Sequence, residues 1–370
     1  MISMTVVRDV CDYLKKIAPL QLSEDWDNVG LLLGDEKAEI SRAVTCLTLT
    51  ADVADEAVGS GAGLIVTHHP LLFKPVKQLT TSTAEGRLLL TLLRHGIAVY
   101  SPHTAWDNSA WGINQQLAQL FGLQEIAPLR PRATSDQVKL VTFVPEQHLV
   151  HVRQALWDAG AGVIGNYRQC SFNLHGTGTF FGSPATNPAV GQPGQLEEVE
   201  EVRVEIVCVT KLLDRALAAL RIAHPYEEPA VDVFPIKSHI DGSGAGRFGT
   251  LPTPVTLREL NRLVVERLKQ PQIQFVGDAS RVIARLGIAC GAASEFLRDA
   301  SRAGCDALLT GEARFHACLE ARELGIAMVM PGHYATERFA METLAAHLNE
   351  QFSTRVVKAS ERERDPVQTA

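Results

Sequence analysis

The chain opens on a helical stripe, Val6, Val7, Val10, Leu14 and Ile17, whose spacing places these apolar residues on one face. Apolar runs and helical patterns then alternate: a strand over residues 43–49, a helix over 53–58, a strand over 63–66, an amphipathic helix over 85–93 broken at Gly96, and a strand over 97–100. Such alternation predicts an α/β arrangement to about residue 130. From residue 138 the texture changes to a strand over 139–144, a helix over 147–159 and a turn-rich connection over 160–165. Residues 176–194, dense in Gly, Pro, Thr and Asn, predict a loop. An acidic run over 197–201 leads into a strand over 202–209, a helix over 212–222 and an extended segment over 230–236. The order strand, helix, strand, strand, helix, strand is that of a ferredoxin-like unit, and the Gly-rich stretch 242–249 predicts the return linker. The last third resumes the first pattern, with helices over 257–268, 294–303 and 317–323 and strands over 283–289, 307–309 and 326–330. Ser294 is the expected N-cap and Gly304 the expected stop of the second of these helices. A final helix is expected over 337–348.

Polar residues sit just beyond these strands. The strand over 63–66 ends at the doublet His68 and His69, followed by Pro70. Consecutive strand residues face opposite sides, so core packing seldom satisfies both rings of such a doublet. His103 and Asp107 follow the strand over 97–100, and a helical turn between them puts both on one side; the other reading makes Asp107 the cap of a helix beginning near Ala110. His333 and Glu337 repeat the spacing at a helix start, where a capping or surface pair is the alternative. Together these three groups supply imidazoles and carboxylates at strand ends, a mixed nitrogen and oxygen set without a thiolate. Such a set is too large for one closed tetrahedral zinc site and suits two divalent ions with open water positions, where one carboxylate can bridge both.

Composition narrows the classes further. The chain has 370 residues, 46% of them hydrophobic, with a formal net charge of −7, which supports globular cores and gives no basic field for nucleic acid. Its 7 cysteines are scattered and show no Cys-x-x-Cys spacing, as in reduced cytoplasmic proteins. Charged Arg8, Asp9, Asp12, Lys15 and Lys16 deny the amino terminus the apolar core of a signal peptide, and no run approaches membrane-spanning length. A cytoplasmic protein without a membrane partner is the expectation.

Residues 24–30, 67–70, 101–107, 309–312 and 332–337 carry a resemblance to the Nif-three-like dinuclear metal centre family, whose members bear the name GTP cyclohydrolase 1 type 2 homologue. The resemblance covers both outer thirds in order, and the central segment is similar to the PII- or CutA-like insert of the longer bacterial members. It implies a two-lobed α/β core over 1–130 and 245–370, with an inserted ferredoxin-like (PII/CutA-like) α+β domain over 131–244. It also implies a homohexamer whose metal pairs face an internal cavity. Carried onto matching positions, His68, His69, Asp107, His333 and Glu337 are the metal ligands, Glu337 bridging, with His103 a nearby proton-transfer or supporting group. Zn, Mn, Fe, Co and Ni all suit such ligands. The chain departs from the family pattern at Glu312 to His316, at Cys290 to Ser294, and at Met330 and Pro331, none of them a ligand position.

Several conspicuous residues keep two readings. Asp25 and Asp27 around Trp26 form a turn or face a cavity, Glu312 and His316 line that cavity or serve as a cap and a surface histidine, and residues 224–229 serve packing or subunit contact rather than catalysis. The charged tail 361–370 is expected to fray. Two functional classes follow. One is a metal-dependent hydrolase of a nucleotide or related compound, with His103 or His316 assisting proton transfer. The other is a non-catalytic assembly that stores, delivers or senses metal. No Gly-x4-Gly-Lys loop supports nucleotide binding independently.

Overall fold

The apolar runs become parallel strands of two sheets, and the helical stripes become the layers around them. The computed structural model describes residues 5–132, 137–236, 242–352 and 356–368, and divides into two compact units, Met1–Arg132 with Ile240–Ala370, and Ala133–His239. Residues 133–136 and 237–241, where the expected insert joins the core, lie outside the described residues.

In the first unit, one sheet runs in the order Gly30–Leu33, Ala98–Ser101, Leu64–Thr67, Arg42–Cys46, Val356–Ala359. All neighbours are parallel except the edge strand Gly30–Leu33. The second sheet runs Gln274–Val276, Ala327–Met330, Ala307–Thr310, Val282–Ala289, Arg247–Thr256, Gln124–Ala127, with its three central strands parallel. Helices Val7–Ile17, Ile113–Leu120, Leu257–Leu268 and Ala340–Gln351 share one core with the facing sides of both sheets, through Leu14, Leu64, Tyr100, Leu117, Leu260, Ile288, Leu309 and Leu344. Helices Ala51–Ser60 and Ala84–Arg94 cover the far side of the first sheet, and Leu297–Arg302 with Phe315–Leu324 that of the second. Strands buried on both faces explain why their sequences read as unbroken apolar runs.

The second unit is an antiparallel sheet in the order Val231–Pro235, Gln137–Val144, Leu196–Val209, Phe172–Phe181, with helices Leu149–Asp158 and Leu213–Ala223. This is the ferredoxin-like order. Val202, Val204 and Ile206 alternate inward to meet Leu156 and Leu220.

Several expectations need correction. Residues 176–181 are strand, not loop: Phe172–Phe181 pairs residue for residue with Leu196–Val209, which also takes up the acidic run. Glycine density concealed a ladder in which Thr177 bonds Glu200 and a Cβ at Gly178 would stand 2.1 Å from Glu201 Oε2. The stretch 242–249 is not a linker, since Gly244–Ala245 pairs with Arg130–Pro131 and Arg247 begins a strand. Its glycines serve close approach, a Cβ at Gly249 falling 2.6 Å from the Gln124 carbonyl oxygen. Ser294 caps nothing; it starts a 3-10 turn, Ser294–Phe296, before helix Leu297–Arg302, while Gly304 takes the left-handed φ of 71° that ends it. Helix Ile113–Leu120 starts after Gly112, so Asp107 is not its cap. The final helix is two helices, His333–Glu337 and Ala340–Gln351. The tail does not fray at Glu363, which is buried.

Arg247 is fully buried, and its guanidinium donates to the carbonyls of Ser109, Gly244 and Gly246 and to Gln115 Oε1. Removing a charged donor from buried acceptors strands them without solvent. Arg247→Leu is therefore expected to lower the unfolding free energy by about 3 kcal/mol. Matching urea midpoints for variant and wild type would rule out this bracing role.

Candidate metal centre

Parallel strands of both sheets aim their carboxyl ends at one cavity, the usual place for a site in α/β folds. His68 and His69 follow Leu64–Thr67, with their backbone amides donating to the carbonyls of Cys46 and Leu47 at 2.9 and 2.8 Å. His103 and Asp107 bound the short helix after Ala98–Ser101, and His333 and Glu337 bound the one after Ala327–Met330. The cavity, of about 540 Å³, is lined by His69, His103, Asp107, His333 and Glu337, with Trp26, Phe73 and Phe296 on its apolar walls.

Glu337 Oε2 lies 3.2 Å from His69 Nε2 and 3.0 Å from His333 Nε2. His68 Nε2 faces Asp107 Oδ1 at 3.6 Å, beyond hydrogen-bond reach. Three rings are held by their remote nitrogen: His69 Nδ1 by Thr48 Oγ1 at 2.7 Å, His333 Nδ1 by Glu312 Oε1 at 2.9 Å, and His103 Nδ1 by Asp27 Oδ1 at 2.8 Å. Each leaves Nε2 as the other ring donor or acceptor, the arrangement that fixes metal-binding histidines. His103 holds its place at a φ of 27°, in the left-handed region.

Asp107 and Glu337 are pushed apart electrostatically. Burial and the charge of Glu337 raise Asp107 to about 7. Burial opposes ionisation of Glu337 too, but hydrogen bonds with His333 and His69 and the charge of His333 outweigh it and hold Glu337 below the usual carboxylate range. His333 is raised to about 9, chiefly by its hydrogen bond with Glu337 against the opposing burial. Burial drives His68 well below the ordinary histidine value, which favours its neutral ring.

Among the described residues, His68, His69 and His103 form one group, and His69, His333 and Glu337 another, whose donor atoms lie within 4.8 Å of one another. Both ring nitrogens of His68 are buried without a hydrogen-bond partner. Imidazoles and carboxylates converging around such a ring fit a divalent cation, since burying unpaired polar atoms is otherwise costly. The capping and surface readings of Asp107, His333 and Glu337 give way to this geometry. His316 is exposed on the first turn of Phe315–Leu324 and does not line the cavity. Asp25 and Glu312 differ in use: among the described contacts, Glu312 holds His333, while Asp27, not Asp25, holds His103.

The Duf34/NIF3 (NGG1p interacting factor 3) profile matches residues 5–366. The chain belongs to the Duf34/NIF3 family. A relative from Halalkalibacterium halodurans named GTP cyclohydrolase 1 type 2 homolog is 37% identical over 88% of this chain and 87% of its own. The Bacillus subtilis protein of the same name is 34% identical over 89% and 88%. Among solved structures, a Bacillus cereus protein related to NIF3 is 31% identical with a TM-score of 0.71, and a Staphylococcus aureus protein is 27% identical with a TM-score of 0.81; each match covers 100% of both chains. The Duf34/NIF3 architecture thus accounts for the two-sheet unit. Among the described residues, no helix is long and apolar enough to cross a membrane.

Sequence reasoning missed Thr48 and the use of Asp27 and Glu312 as ring holders. Only their polarity near strand ends could have marked them.

The raised values of Asp107 and His333 both favour protonated side chains in the fold. Their contributions are therefore full at low pH and are lost as pH rises, Asp107's between its ordinary value and about 7, and His333's between its ordinary value and about 9. Metal-free protein is expected to lose stability across these windows in a chemical-denaturation series. Asp107→Asn should flatten the lower window and Glu337→Gln the upper; an unchanged pH profile in both variants contradicts the assignment.

Proposed function

We propose that this protein is a metal-dependent hydrolase built around two divalent ions, acting on a nucleotide or related compound. The observation that carries the reading is His68, a buried ring with neither nitrogen satisfied, standing among four other donor side chains at strand ends. His68, His69, Asp107, His333 and Glu337 are the proposed ligands, with Glu337 shared. Its oxygen at 3.0–3.2 Å from two imidazoles supports that position. Zn, Mn, Fe, Co or Ni suits this donor set.

When bound, such ions supply Lewis acidity and lower the pKa of water. The chain's own residues do the rest. His103, oriented by Asp27, takes or returns a proton at Nε2, and the Asp27 carboxylate stabilises the charged ring when it does so. Trp26, Phe73 and Phe296 give the cavity apolar walls and offer faces to a heterocycle. The names borne by the relatives favour a nucleotide as substrate. His316 takes no part in this reading within one subunit. We further propose a cytoplasmic homohexamer with its metal sites around an internal space, and a PII/CutA-like insert, a reading supported by the ferredoxin-like strand order.

Elemental analysis of purified protein is expected to give two ions per subunit, falling to one or none in the His68→Ala, His69→Ala double variant. Across a panel of nucleotides and phosphoesters, turnover should disappear in Asp107→Ala and Glu337→Ala. Turnover that survives complete loss of metal in both variants would sink the hydrolase reading. Two tightly held ions with no turnover on any substrate would favour the storage or sensing assembly instead.

A further inference from the structure

A carboxylate far along the chain lies behind the centre. Glu363 is 4% exposed and accepts from the backbone amides of Leu47 at 3.0 Å and Thr48 at 2.6 Å. Its Oε2 also pairs with Arg338 Nε at 2.8 Å. Thr48 is the residue whose hydroxyl meets His69 Nδ1, and Arg338 directly follows Glu337. We infer that Glu363 is a positioning residue for the metal centre, tying the loop that orients His69 to the helix that carries Glu337.

The segment around it is built to hold this carboxylate in place. Val356–Ala359 runs parallel to Arg42–Cys46, and the Ser360 amide continues the ladder to the Thr45 carbonyl at 2.8 Å. Glu56 accepts from the Ser360 hydroxyl and from the amides of Glu361 and Arg362. Arg338 also donates to the Ser360 carbonyl at 2.7 Å. Glu363 therefore accepts two amides from one sheet's loop, one on each oxygen, and forms an ion pair with a guanidinium from the other sheet's helix. A carboxylate serves all three; a carboxamide of the same size turns an N–H against one of the amides and has no charge for the guanidinium. Losing an amide contact frees the Thr48 hydroxyl from its place behind His69, and losing the guanidinium frees the residue after Glu337. His69 and Glu337 are the two sides of the 3.2 Å contact at the heart of the centre.

This inference rests on the metal-centre reading, so its test carries a metal-free arm. In the full-length protein, zinc affinity is measured by competition with a chromophoric chelator for wild type, Glu363→Gln, Thr48→Val and the double variant. Each single variant is expected to bind zinc about 10–100-fold more weakly, with an unchanged far-ultraviolet circular dichroism spectrum. The double variant should lose less than the product of the two single losses, because Glu363 and Thr48 share the route through the His69 ring. Without metal, the imidazole nitrogen resonances of His69 should shift in both single variants while those of His103 stay in place. Wild-type zinc affinity in Glu363→Gln, or losses that multiply in the double variant, would overturn the role. A wild type that binds no zinc overturns the metal-centre reading alone, and the His69 resonances then decide the role of Glu363: a shift upholds it and its absence refutes it.

Discussion

One buried carboxylate holds the two sheets to a common purpose. Glu337 arrives from the second sheet and meets His69 from the first, while its own helix returns His333 to the same oxygen. Burial alone would favour a neutral acid there, and the two rings reverse that preference. The contact dictates its surroundings. A Cβ at Gly291 would stand 2.3 Å from Glu337 Oε1, and one at Gly311 would stand 2.8 Å from His333 Cα, so only glycine lets both strand ends approach.

Polar bonding around the centre serves alignment rather than cohesion. Thr48, Glu312 and Asp27 each occupy the far nitrogen of one ring, which fixes the direction of the near one. The cost is visible locally, in the left-handed backbone at His103 and in a His68 ring buried without partners. Strain and unsatisfied polarity gathered at strand ends mark a site that stability alone does not explain. A cation held there would repay such costs by binding the folded state only.

The strand runs 63–66 and 97–100 were legible because burial on both faces removes all polar interruption from a parallel strand. Polar residues that follow such runs stand out, as His68, His69, His103, Asp107, His333 and Glu337 do. Edge and antiparallel strands were less visible. Gly30–Leu33 and Gln274–Val276 are short and only partly buried, and Phe172–Phe181 hid behind its glycines. Least legible were the supporting residues. Glu363 meets Leu47 and Thr48 from more than 300 positions away, and Asp27 meets His103 from 76 away, so no periodicity links them. Arg247 falls in the Gly-rich stretch 242–249 that reads as a linker, and it is enclosed because carbonyls from three residues converge on it.

X-ray absorption at the metal edge, on zinc-loaded protein, addresses the shared carboxylate most directly. The expected spectrum has a first shell of nitrogen and oxygen only and a second metal at about 3.5–4 Å. A sulfur shell, or a zinc ion with no metal neighbour at full loading, would contradict a dinuclear centre organised by Glu337.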